Sequence, residues 1–218
     1  EMGLIGALGD WVLCEACRQM KAFSKLGFEL PKVAVNVSAL QFNPLFIRRV
    51  GEVLRDYKLD PACLELELTE GVVMNKASDT IRALHDLKDL GVSLSIDDFG
   101  TGYSSLSYLS RFPLDELKID RSFVIDFDKS DNDASLVIAI IAMGKSMNLN
   151  LVAEGVETHE QYHFLTKHGA HVIQGYLFSK PVDANELAPM LTEHHFLRQI
   201  EKIALGNETL VSIPHTAS

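Results

Sequence analysis

Apolar positions along the chain alternate between two periods. Over residues 4–26 they recur at spacings of three and four, which predicts a helix, and residues 32–37 (Lys-Val-Ala-Val-Asn-Val) form a short β-branched run that predicts a strand. The alternation continues with a helix over 44–57, a strand over 63–68, and a helix over 78–90 closed by Gly91. A strand over 92–96 is followed by a turn rich in Gly and Ser and a short helix near 105–111. A strand over 116–119 leads through an acidic loop to a helix over 134–147. The pattern ends with a strand over 149–153, a helix over 159–168, a strand beginning at 171–173 and a helical stretch over 184–200. Residues 206–218 carry no period and are expected to be loosely held.

Six short strands alternating with helices predict an α/β fold with a parallel sheet and right-handed crossovers. An open doubly wound sheet and a closed barrel both fit. The first would carry a glycine-rich phosphate turn after its first strand. Here that turn is Ser38-Ala39-Leu40-Gln41, without glycine. No repeat beyond the βα unit and no low-complexity linker divides the chain.

Polar residues stand at the C-terminal end of every predicted strand. They are Asn36, then Glu67 and Glu70, then Asp97 and Asp98, then Lys118 and Asp120, then Glu154 and Glu157, and finally Gln174. A (β/α)8 barrel gathers such ends on one face, whereas an open sheet spreads them along a line. Each has a structural reading: Asp97 and Asp98 as turn or capping residues, Lys118 and Asp120 as a solvated pair, Glu157 as first-turn charge for the next helix. Taken together they favour a site, because burying carboxylates at a barrel mouth costs several kcal/mol unless cations compensate.

An amide oxygen with several carboxylates, and no His or Cys at a strand end, forms a hard-oxygen site suited to Mg²⁺ or Mn²⁺ rather than Zn²⁺. Adjacent aspartates can reach two ions, and paired ions roughly 3.5–4 Å apart suit in-line displacement at phosphorus. Lys118 can offset phosphoryl charge and a glutamate can accept the proton of water. Phosphodiester or phosphomonoester hydrolysis follows, with metal-assisted enolisation as the alternative.

The chain has 20 basic and 30 acidic residues, a net charge of -10, so it repels long nucleic acid, though a small phosphate ligand can bind through metal ions. No apolar run approaches a membrane span, and residues 1–10 lack the features of a signal peptide. Three cysteines are too few for a disulfide framework, and a reducing cytoplasm is the expected compartment. Cys14 and Cys17 lie inside a helical pattern with no second metal-binding pair, so packing is the expected role. His194-His195 lacks a third ligand nearby and is read as surface. Tyr103 and Phe178 are as suited to packing as to a ligand.

The motifs then carry a resemblance. Asn-Val-Ser at 36–38, Glu-Leu-Thr-Glu at 67–70, Asp-Asp-Phe-Gly-Thr-Gly-Tyr-Ser-Ser-Leu at 97–106, Leu-Lys-Ile-Asp-Arg-Ser-Phe-Val at 117–124, Ala-Glu-Gly-Val-Glu at 153–157 and Gln-Gly-Tyr-Leu-Phe-Ser-Lys-Pro at 174–181 resemble the EAL domain family, in its order. The resemblance covers residues 1–192, with 193–218 as a helix end and loose tail. It implies a TIM-barrel-like EAL barrel with one antiparallel strand, here as six βα units with the first two strands absent. It also implies metal-dependent opening of cyclic di-GMP to linear pGpG, or alternatively a catalytically inactive cyclic di-GMP receptor.

The resemblance further implies the roles. Asn36, Glu67 and Asp97 would hold a first ion, Asp97 and Asp98 a second, and Glu157 would support the second through water. Lys118 would orient the attacking water, Glu154 would be the base, and Asp120 and Gln174 would complete the shell. Glu70 would hold the loop 99–106, which the family uses to couple ligand, metal and dimer contacts. Mg²⁺ or Mn²⁺ is the expected cofactor and Ca²⁺ an inhibitor. A homodimer and flanking sensory or GGDEF domains are the expected partners.

Two departures stand out. Gly71 replaces the serine that follows the Glu-Leu-Thr-Glu motif in the family, removing a hydroxyl from the loop anchor. The glutamate of the family signature and an arginine that contacts phosphate would precede Glu1, so the stretch reads as a fragment with two exposed sheet edges and weak or no hydrolytic activity.

Overall fold

The structure is a computed structural model that describes residues 2–74, 77–100, 109, 111–126 and 131–204. Helix α1 (Met2–Lys25) precedes strand β1 (Val33–Val37) and helix α2 (Pro44–Tyr57). Strand β2 (Leu64–Thr69) follows a short 3₁₀ turn and runs into α3 (Glu70–Met74) and α4 (Ala77–Leu90). Strands β3 (Ser93–Phe99) and β4 (Glu116–Ile119) come next, then α5 (Arg121–Asp126) and α6 (Asp131–Ser146). Strand β5 (Asn150–Ala153), helix α7 (His159–His168) and strand β6 (Val172–Ile173) complete the sheet, and α8 (Ala184–Thr192) and α9 (His195–Ala204) follow.

Helix boundaries follow local chemistry. Asn43 caps α2 by accepting hydrogen bonds from the amides of Leu45 and Phe46, and Pro44 occupies the first turn, where no amide partner is needed. Thr158 and Gln161 form a capping box at α7, and Gly169 ends that helix with φ of 100°.

All strand pairs are parallel, and the sheet order β1-β2-β3-β4-β5-β6 follows the chain without reversal. A doubly wound sheet reverses its order at a switch point, so that alternative is excluded. Along β2, Leu64, Leu66 and Leu68 are buried with Leu94, Ile96, Leu117 and Ile119 in a core that also contains Val50, Val53, Leu84 and Leu87 from the helices. The residues between them, Glu65, Glu67, Ser95, Glu116 and Lys118, are also buried. The central strands are therefore buried on both faces, one apolar and one largely charged, while Ala34 and Asn36 of β1 on the second face are exposed.

The chain divides into two compact units, Glu1–Leu177 and Phe178–Ser218. In the second, Asp183 caps α8 through the amides of Asn185 and Glu186. The expected single helical stretch over 184–200 is two helices, broken where His194 adopts φ of 54°. No glycine marks that break. The acidic loop after β4 contains the helix α5, and the turn after β2 contains α3; both are too short for a helical period to register. Of the short helix expected near 105–111, Leu109 is described and helical, while 101–108, 110 and the tail from 205 lie outside the described residues. Cys17 lies in the core, and burial pushes its thiol up to about 11, in keeping with a packing role. Among the described residues no helix is long and apolar enough to cross a membrane.

Candidate active site

The ends of β2, β3 and β5 meet around one ammonium from β4. Lys118, near the end of β4, places its Nζ 2.8 Å from Glu67 Oε1, 3.3 Å from Asp97 Oδ1 and 2.6 Å from Glu154 Oε1. These carboxylates come from β2, β3 and the residue after β5. Glu67, Asp97 and Lys118 share the sheet face because strand side chains alternate. The Glu154 amide extends the ladder by donating to Ile119 O at 3.1 Å.

Adjacent residues of a regular strand face opposite sides, so Asp97 and Asp98 could not ordinarily serve one site. The register between β3 and β4 shifts there: Ile96 pairs with Leu117 but Phe99 pairs with Ile119, a bulge of one residue. Asp98 adopts φ of 54°, and its amide donates to Asp97 Oδ1 at 3.1 Å. This turns the Asp98 carboxyl to within hydrogen-bonding reach of Asp120. Asp120 also accepts from the Ser122 amide at 3.0 Å and from its hydroxyl.

Burial sets the protonation balance. It raises the pKa of Glu67 and of Glu154 above the ordinary carboxylate value, and the contact with Lys118 offsets only part of that rise. Burial and the neighbouring charges of Asp97 and Asp120 likewise raise Asp98. For Asp120 burial acts upward, but hydrogen bonds from Ser122 prevail and its pKa is lowered. Burial alone would lower the Lys118 pKa, yet bonds to Glu154 and Glu67 drive it upward, so the ammonium stays charged.

The other expected residues lie at neighbouring strand ends and loops, outside the contacts of Lys118. Asn36 is the register partner of Glu67 at the end of β1, and its side chain is exposed. Glu70 is buried and accepts from the Gly100 amide at 3.4 Å, at the start of the loop it was expected to hold. A Cβ at Gly100 would meet the Phe123 ring at 2.9 Å, and the residue has φ of 96°, so glycine is required there. The remainder of that loop, including Tyr103, lies outside the described residues. Gln174 bonds through its backbone to Ala153 O and Val156 N, with its side chain exposed. Glu157 is exposed and paired with Arg121.

All the donors are oxygens, and the carboxylates of Glu67, Asp97, Asp98, Asp120, Glu154 and Glu157 outnumber the cations Lys118 and Arg121. This donor set fits a hard divalent ion. Among the described residues, no three acidic, His or Cys groups are already gathered around a point that could hold a metal ion. Lys118 holds the convergence point of Glu67, Asp97 and Glu154.

A second charged cluster was not anticipated. Lys32 pairs with Glu65 and, at 2.8 Å, with Glu116, toward the N-terminal ends of β2 and β4. Ser95, the register partner of both Glu67 and Glu116, is fully buried with its hydroxyl unpartnered. The signal was available, since Glu65 precedes Glu67 by two residues and Glu116 precedes Lys118 by two. Arg121 was hidden inside its motif because nothing local assigns it a partner.

A family model described as the EAL domain matches residues 1–181. The bifunctional diguanylate cyclase/cyclic di-GMP phosphodiesterase MucR of Pseudomonas aeruginosa is 47% identical over 188 residues, covering 86% of this chain and 27% of MucR. The cyclic di-GMP phosphodiesterase NbdA of the same organism is 46% identical over 195 residues, covering 89% of this chain and 25% of NbdA. The chain thus spans about a quarter of the length of these relatives. A solved structure described as PaMucR phosphodiesterase in complex with c-di-GMP superposes with a TM-score of 0.82 at 47% identity, covering 85% of this chain and 75% of that one. A manganese/cy-diGMP complex of BlrP1 from Klebsiella pneumoniae gives 0.69 at 30% identity, covering 79% of this chain and 45% of that one.

Proposed function

The chain belongs to the EAL domain family, and from that premise we propose that it contributes the catalytic face of a phosphodiesterase that hydrolyses cyclic di-GMP to linear pGpG. The observation that carries this reading is the meeting of Glu67, Asp97 and Glu154 on the Lys118 ammonium. A phosphodiester there would find a buried positive charge, a nearby base and oxygen donors for cations.

Asn36, Glu67, Asp97, Asp98, Asp120 and Glu157 would hold Mg²⁺ or Mn²⁺. When bound, the ions supply positive charge for the phosphodiester and lower the pKa of water. Glu154 accepts the proton of the attacking water, and its burial-raised pKa brings it nearer the working pH of a general base. Lys118 keeps its proton and stabilises charge developing on phosphoryl oxygens. Gln174 positions water, and Glu70 anchors the loop that begins at Gly100.

Chromatography of cyclic di-GMP incubated with the chain and Mg²⁺ or Mn²⁺ tests the reading, with the full-length protein as a second arm. Linear pGpG is the expected product, and Ca²⁺ is expected to inhibit. Binding without turnover in both arms would convert the reading to a receptor. No binding in either arm would end it.

A further inference from the structure

Resting on the reading above, we infer that Arg121 recognises the ligand's phosphodiester at the rim of the site, seated there by Gly155 and held by Glu157 when no ligand is present. Arg121 follows Asp120 directly at the end of β4, yet its guanidinium reaches past β5: Nη2 lies 2.9 Å from Glu157 Oε1. The path between them crosses Gly155. A Cβ on that residue would lie 2.2 Å from Arg121 Cγ, 2.7 Å from Cβ and 2.8 Å from Cδ. Gly155 also has φ of 66°, so a side chain there is disfavoured twice. The absent side chain leaves a channel that fixes the arginine stem across the ends of two strands.

The far end of that stem suits anion recognition. Among the described residues Glu157 is its ion-pair partner, and the pair is open to solvent, with side-chain exposures of 54% and 40%. Exposed pairs of this kind contribute about 0–1 kcal/mol, so exchanging Glu157 for another anion costs little. Guanidinium groups bind phosphodiesters through two parallel N–H donors, which a lysine cannot match. Lys118 lies among three carboxylates, where its part is to offset charge at the reacting phosphoryl group. Glu157 is itself fixed from behind, where its amide donates to Gln161 Oε1 at 2.7 Å within the capping of α7. The carboxylate thus keeps Arg121 at the rim without drawing it inward.

The test is calorimetric titration of cyclic di-GMP, with Ca²⁺ present, into the unsubstituted chain and into Arg121→Ala, Arg121→Lys and Gly155→Ala variants across a salt series. Arg121→Ala is expected to weaken affinity about tenfold, the loss of a charged hydrogen-bonded contact. It should also weaken the dependence of affinity on salt, because one charge contact with the ligand is lost, a change that a structural role would not produce. Arg121→Lys should recover the salt dependence and only part of the affinity, and Gly155→Ala should mimic Arg121→Ala. Unchanged affinity and salt dependence in Arg121→Ala would overturn the inference while leaving the functional reading intact. Absence of binding by both the unsubstituted chain and the full-length protein would overturn both.

Discussion

Lys118 Nζ lies 2.6 Å from Glu154 Oε1, the shortest of its contacts with three carboxylates from β2, β3 and the residue after β5. The pair joins the group assigned to phosphate charge with the group assigned to proton transfer. Removing either partner therefore has opposite consequences for stability and for chemistry.

Replacing Lys118 with Met leaves Glu67, Asp97 and Glu154 buried without their ammonium. Metal-free protein near neutral pH is expected to lose about 3–5 kcal/mol, read from denaturant unfolding. Mg²⁺ should recover part of that loss, since it supplies charge to the same carboxylates. An unchanged midpoint would mean that the ammonium is not their compensating charge.

Glu154→Gln removes a carboxylate whose charged form burial disfavours. Hydrolysis of cyclic di-GMP should fall about 10²–10⁴-fold in the protein found active, with ligand affinity and melting temperature not reduced. A variant retaining full rate would remove Glu154 from the role of base.

The pH dependence has a definite sign. Glu67 and Glu154 have folded pKa values raised above the ordinary 4.5. Their contribution to stability is thus fully present below 4.5 and is lost as pH rises through the raised values. Asp120, whose pKa is lowered, acts oppositely and loses its contribution only as pH falls below 3.8. Melting temperature in EDTA should fall as pH rises from 4.5 toward neutrality, and Mg²⁺ should flatten the curve. A metal-free curve rising over that interval would contradict the buried placement of these carboxylates.

The bulge at Asp98 predicts a ranking. Asn tolerates the left-handed region better than a β-branched residue does, so Asp98→Val should be about 1–2 kcal/mol less stable than Asp98→Asn. Both remove the carboxylate and should lose activity. Equal unfolding midpoints would show that residue 98 does not keep φ of 54° in solution.

The cluster of Lys32, Glu65 and Glu116 is structural. Lys32→Met should cost about 1–3 kcal/mol by leaving two buried carboxylates without their cation. Substituting Leu for both glutamates as well should restore much of it, because apolar groups replace buried ion pairs at little cost. Chemical denaturation of the single and triple variants would distinguish this from a surface pair of no consequence.

The alternation of strand and helix, the polar residues at strand ends and the hard-oxygen character of the site are written locally, through periods of two and 3.6 and through residue type. The convergence of Glu67, Asp97, Lys118 and Glu154 was legible for that reason, while the exposed Asn36 is not drawn into their contacts. The helices α3 and α5 were not, since five or six residues are too few to show a period. Nor was the break at His194, where the left-handed backbone is held without the glycine that usually marks it.

Tertiary structure decided what local pattern cannot encode. Strict alternation would send Asp98 to the face opposite Asp97; only the shifted register of β3 on β4, stabilised by pairing on both sides, turns it to Asp120. That Lys118 serves three carboxylates, and that Arg121 passes over Gly155 to Glu157 across 36 positions of sequence, depends on which strand ends become neighbours. Side-chain direction is a property of one strand, but the distance between charges is a property of the packed sheet.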